Sequence, residues 1–156
     1  MDSVLGQITS GLLVAIISFA TGFLANSVVR GLDRRDAEHA SRVDEACKLV
    51  DNIAEKSRKY WSEKSGQQLK ELKIEIISLD YRLGSVFDLL KKIDVSYSDI
   101  ADKWHNKFSG IVTGGDFQVA NRDVDLRRLR QADTEATCLV VRVRHVRRAI
   151  LWRWFQ

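Results

Sequence analysis

The chain has no proline, only two cysteines and three histidines, and no charged residue anywhere between Ser3 and Val29. Each absence excludes something. Without proline no helix is forced to kink, and with no glycine either between Gly31 and Gly66 a long unbroken helix is expected there. Cys47 and Cys138 lie far apart, with no Cys or His at ligand spacing beside them. They make neither a disulfide framework nor a zinc signature and read as ordinary helix residues. His39, His105 and His145 occur singly, which leaves no zinc or haem motif, and no metal or cofactor is expected. The segment Thr113-Gly114-Gly115-Asp116 lacks the spaced glycines and the lysine of a phosphate loop and reads as a turn. Serine, histidine and acids are present, but without a nucleophile turn they form no triad, and the chain is not expected to be an enzyme.

What is there begins with the charge-free stretch itself. Its most apolar part, Leu12 to Leu24, is flanked by Asp2 on one side and by Arg30, Arg34 and Arg35 on the other, the pattern of one transmembrane helix over residues 4–29. About 20 apolar residues cross a bilayer core of about 30 Å, so this stretch suffices with some tilt. A cleaved secretory signal would begin with positive charge and carry a shorter apolar run, whereas here the leading charge is Asp2; a buried core helix is the third reading. Arginine beside a span stays on the cytoplasmic side, which puts the amino terminus outside and leaves residues 30–156 as one cytoplasmic domain.

The span is two-sided. At about 100° per residue, Gln7, Gly11, Ala15, Ser18, Gly22 and Asn26 share one half of the helix with Ser10, Thr21 and Ala25, while Leu5, Leu12, Leu13, Ile16, Phe19, Phe23 and Leu24 take the other. Lipid tails offer no hydrogen bonds, so a polar, small-residue stripe is useful only against another helix. With one span per chain, that helix belongs to another chain. The narrow seam Gly11, Ala15, Ser18, Gly22 and Ala25 would serve a dimer; the wider arc suits a ring whose hydroxyls and amides face a central path.

Every long segment beyond the span has helical period, so the fold class is all-α: an N-terminal transmembrane helix followed by a cytoplasmic antiparallel helical bundle. Val43, Ala46, Val50, Ile53 and Tyr60 form one seam, and the helix carrying it continues from the span with Gly31 as a candidate hinge. After Ser65-Gly66, Leu69, Leu72, Ile76, Leu79, Leu83, Val86, Leu90 and Ile93 repeat in unbroken heptads. A short helix is expected from about Ser98, its N-cap, to Phe108, with Ile100, Trp104 and Phe108 on one face and Gly110 as its end. Asn121 is the expected cap of a last helix with the seam Leu129, Ala132, Ala136, Leu139, Val143, Val146 and Ile150.

Alternating directions return the carboxyl terminus to the inner leaflet. From Ala136 onward the chain has five arginines, His145 and no acid, and it closes on Leu151-Trp152-Arg153-Trp154-Phe155. Arginine with tryptophan suits a cytoplasmic membrane interface, so Arg30, Arg34, Arg35, Arg148, Trp152, Arg153 and Trp154 are the expected lipid contacts, although a solvated basic face with core tryptophans fits the same residues. Arg127, Arg128 and Arg130 are a candidate anion contact, set against a plain solvated helix face. Arg34 and His39 stand at the spacing of helical (HEPN-like) ribonucleases. Arg34 already has a topological explanation, and anionic lipid accounts for the basic ends, which disfavours nucleic acid as partner.

One amino-terminal span, a charged all-helical domain of this size and the basic end from Arg142 to Arg153 resemble the small single-span membrane effectors of bacterial antiphage defence. The layout is similar to the membrane-pore accessory protein of type VI-B CRISPR systems. The resemblance implies a homo-oligomer in the bacterial inner membrane whose spans line a conduit, controlled by the bundle and by a cytoplasmic activator the sequence does not name. The competing functional class is a membrane-tethered adaptor that binds another protein, with a membrane-held RNA-binding domain as the third.

Overall fold

The computed structural model describes the backbone of residues 2–63, 67–119 and 123–154. Side chains are described at Thr21, Phe23, Asn26 and Ser27 and from Val29 onward, apart from Gln67, Gln118 and Trp154. Helix α1 spans Asp2–Ser62, α2 Gln67–Ile93, α3 Asn106–Thr113 and α4 Leu126–Trp154. A 3-10 turn at Val95–Tyr97 and a π-helical stretch at Ile100–His105 lead into α3, and a second 3-10 turn at Gly115–Gln118 follows it. No strand occurs among the described residues. The chain divides into two compact units, 1–38 and 39–156.

In the first unit the backbone is helical through Gly31, where a hinge was expected. Among the described residues no helix is long and apolar enough to cross a membrane. The span predicted for residues 4–29 lies almost wholly outside the described side chains, as do Gln7, Gly11, Ala15, Ser18 and Gly22.

The second unit is a bundle of four helices around one core. Ion pairs along the helices give their directions. Glu45 meets Arg82 at 2.7 Å while Lys56 meets Glu75, so α1 and α2 run oppositely. Arg58 meets Asp133 at 2.9 Å while Cys47 lies beside Arg144, so α1 and α4 also run oppositely. Lys107 meets Glu135 at 2.6 Å, and Trp104 lies under Arg142, which does the same for α3 and α4.

The expected seams supply the core. Val43, Ala46, Val50, Ile53 and Tyr60 of α1 are buried, as are Leu69, Ile76, Leu83, Val86 and Leu90 of α2. Ala132, Ala136, Leu139, Val143 and Ile150 of α4 complete the packing with Ile100 and Phe108. Each large apolar side chain among them contributes roughly 1.5–3 kcal/mol relative to exposure. The α2 seam stops one residue early, because Ile93 is at the helix end and is exposed.

At one end of the bundle Trp61, Tyr60 and Phe117 stack, with the Tyr60 and Phe117 rings 4.7 Å apart. Trp61 Nε1 donates to the Val112 carbonyl at 3.3 Å and the Tyr60 hydroxyl donates to the Phe117 carbonyl. The segment after α3 is thereby tied to the end of α1.

Three expected boundaries are corrected. Ser98 is helical and stands at the C-terminal end of the 3-10 turn, its backbone N–H donating to the Val95 carbonyl, and is not the N-cap expected; the carboxylate of Asp94 accepts from the Ser96 N–H at 2.8 Å and caps the start of that turn. Gly110 lies inside α3, which continues to Thr113 because Val112 still has core to fill, and Gly114 is the extended residue that stops it. α4 begins at Leu126 with Asp125 as its cap, accepting from the Arg128 N–H at 2.9 Å; Asn121 is outside the described residues.

Candidate functional site

At the end of the bundle opposite Trp61, three separate parts of the chain converge: residue 39, where the second unit begins, the corner between α2 and α3, and the last turns of α4. His39 is fully buried, and its Nε2 lies 2.7 Å from the Tyr97 hydroxyl, with the two rings edge to face. Arg153 donates to Asp94 Oδ2 at 3.2 Å and to Ser96 Oγ at 3.1 Å, which pins the end of α4 to that corner.

The electrostatics follow from burial and from arginine. Burial pushes the Tyr97 phenol well above its ordinary value, against the pull of nearby Arg147. Burial acts on Asp94 in the same sense, but hydrogen bonds from Ser96 and the Arg153 guanidinium outweigh it and hold this carboxyl below the usual range. The Cys47 thiol is pushed up by burial, with Arg144 opposing. Arg144, Arg147 and Arg148 share a cleft of about 170 Å³ with Val43, Asp44 and Leu151.

Of the expected interface residues, Arg148 is exposed, Trp152 is 71% exposed, and Arg153 is the group bound to Asp94. The side chain of Trp154 is outside the described set. Arg30, Arg34, Arg35 and Asn26 are exposed in the first unit. His39, the other half of the ribonuclease-like spacing, is closed off from solvent by its packing on Tyr97.

The candidate anion residues do not converge. Arg127 and Arg130 are exposed, whereas Arg128 turns inward, donating to the Ile111 carbonyl at 3.2 Å with its guanidinium 4.8 Å from the centre of the Trp61 ring. Arg128 also fills the space above Gly114 and Gly115, so that a Cβ on Gly115 would collide with it. At Gly114 an added Cβ would instead run into the Gly110 carbonyl, so only Gly115 owes its place to the arginine and to its positive φ.

Two features had no clear signal in the sequence. Asp80 of α2 accepts from His105 Nε2 at 3.0 Å and from Ser109 Oγ at 2.5 Å. The carboxylate stands between the other two groups, so this is a polar cross-link between α2 and the π-helix and α3 segment rather than a proton relay from serine to histidine. Second, an open groove of about 440 Å³ runs between the π-helical stretch and α4, lined by Ile100, Trp104, Cys138, Val141, Arg142 and His145 among others. Arg142 lies 3.5 Å over the Trp104 ring at its edge. Among the described residues no cluster of three or more His, Cys, Asp or Glu side chains is placed to hold a metal ion. No protein-family model, curated protein or solved structure matches this chain.

Proposed function

We propose that the chain is a single-pass membrane effector of bacterial antiphage defence, anchored in the inner membrane by residues 4–29 with its amino terminus outside and its bundle in the cytoplasm. Copies associate through the face bearing Gln7, Gly11, Ala15, Ser18, Gly22 and Asn26, and the ring of spans conducts ions and collapses the membrane potential. The bundle governs opening through two packings that an activator biases by binding one of them better.

The observation that carries this reading is the convergence at residue 39. The bundle begins at the same end at which α4 finishes with Arg148, Trp152 and Arg153. A bundle whose own chain begins at its basic, tryptophan-bearing end is what a domain resting on an anionic leaflet requires.

Induced expression in bacteria with a potential-sensitive dye tests it. Depolarisation and growth arrest are expected, and Ser18→Leu or Gly22→Leu is expected to abolish both while the bundle stays folded. Full potential at high expression in the presence of phage infection would leave a membrane tether as the better description.

A further inference from the structure

Between Ala136 and Trp154 helix α4 carries five arginines and no acid, and three of the arginines meet in one place. Arg144, Arg147, Arg148 and Leu151 are spaced i, i+3, i+4 and i+7, one stripe of a helix. Opposite them α1 supplies Val43 and Asp44, and the two walls form a cleft of about 170 Å³. That is room for five or six waters at about 30 Å³ each or for one compact polyatomic ion, and it is well below the roughly 300–1,000 Å³ that takes a drug-sized ligand.

The charge of this cleft is not neutralised from within. Three arginines line it against one carboxylate, and among the described residues neither Arg144 nor Arg148 forms an ion pair with an acid. Arg144 lies beside Cys47, whose thiol burial pushes up and so keeps neutral. Another polar cleft on α1 and α4 shows the contrast. Glu55, Arg58, Lys59 and Asp133 are among its lining residues, but Arg58 pairs with Asp133 at 2.9 Å and Lys59 with Glu55 at 2.8 Å. There the protein supplies its own counter-ions; at Arg144 and Arg148 it does not.

Position in the fold decides which anions reach it. Arg144 is level with Cys47, and from there α4 runs toward the end at which residue 39 opens the bundle. Asp44 and Arg148 therefore stand within about two turns of that end, the end where Arg153 holds Asp94. In the orientation proposed above this end faces the leaflet, where basic pockets receive lipid headgroups. In any orientation the cleft is open to soluble ions.

We infer that this cleft is a phosphate site, in which Arg144 and Arg148 hold the oxygens of one phosphate group and Asp44 opposes it and so limits the affinity. A guanidinium presents its donors in a planar fork that matches phosphate oxygens two at a time, and such charge-assisted bonds are about twice as strong as neutral ones. An acidic lipid headgroup and a soluble phosphate offer the same group. The lipid source rests on the membrane orientation proposed above, whereas the phosphate chemistry stands without it.

Phosphorus NMR of the full chain in a non-ionic detergent tests the site, with inorganic phosphate in one arm and phosphatidylglycerol in the other at fixed ionic strength. Saturable broadening of the phosphorus signal is expected, weakened at least about tenfold by Arg144→Gln/Arg148→Gln. Arg127→Gln/Arg130→Gln removes the same charge from exposed positions of the same helix and is expected to leave binding unchanged. Asp44→Asn is expected to tighten binding roughly fivefold, the effect of one unit charge about 4 Å away in water and a gain that loss of fold cannot mimic. Saturation by phosphatidylglycerol supports the lipid source, and saturation by inorganic phosphate alone supports the site with a soluble ligand. No saturable signal in either arm, equal weakening by the two arginine pairs, or no gain in Asp44→Asn would overturn the inference. Absent binding beside intact depolarisation in cells would overturn it alone, whereas phosphate binding by a chain that fails to depolarise would overturn the proposed function and support the cleft.

Discussion

His39 and Tyr97 are the residues at which the bundle's sequence is least informative and its structure most specific. A lone histidine in a charged stretch carries no burial signal of its own, yet His39 is fully buried, with the hydroxyl of Tyr97, 58 positions away, at its Nε2. Tyr97→Phe keeps the ring and removes that hydroxyl, and a loss of about 1–3 kcal/mol is expected from a buried polar group deprived of a partner. Urea unfolding of the full chain in detergent, followed by near-ultraviolet signals, should show a lower midpoint with the same slope. Asp94 gives a pH prediction. Its folded value lies below the unfolded one, so its share of stability is present above the ordinary aspartate value of about 3.9 and is lost as pH falls through the lower folded value. Asp94→Asn should therefore lower stability at neutral pH and flatten the dependence on acid below about pH 4. A mutant whose acid profile parallels the parent would contradict the assignment.

At the scale of elements, helical seams are the part of this chain most readable in advance. Position within a heptad is a local property, and Val43 to Tyr60, Leu69 to Leu90 and Ala132 to Ile150 were identifiable because burial repeats with the helical turn. Ends were less readable. Gly110 looks like a terminator, but a helix stops where its packing stops, and Val112 extends the contact by half a turn. Two glycines of this region consequently behave oppositely. Gly110 is helical with nothing within 4 Å of an added Cβ, so Gly110→Ala should stabilise by about 0.5–1 kcal/mol. Gly115 has φ of 60° and faces Arg128, so Gly115→Ala should destabilise by more than about 1 kcal/mol and loosen the Arg128 stack on Trp61. Thermal unfolding of the pair, with tryptophan fluorescence for the second, checks both signs.

For the whole molecule, the partition at residue 38 has a direct consequence. Every described side chain that is buried belongs to 39–156. A fragment of those residues should fold alone, with a helical far-ultraviolet spectrum and one cooperative transition, since a chain of this length can support a single core. A molten fragment with helical signal but no cooperative melt would show that the first unit contributes to the core after all.

By itself the sequence determined the helical class, the inward faces of the long helices, the turn at Gly114-Gly115 and the basic, tryptophan-bearing end of α4, because periodicity and composition act over one or two turns. Only the tertiary structure decided that Arg128 enters the α3/α4 corner, that Asp80 joins His105 to Ser109, and that His39 meets Tyr97 beside Arg153 and Asp94. These depend on how helices far apart in the chain are stacked against each other, and stacking is decided by packing the whole core at once.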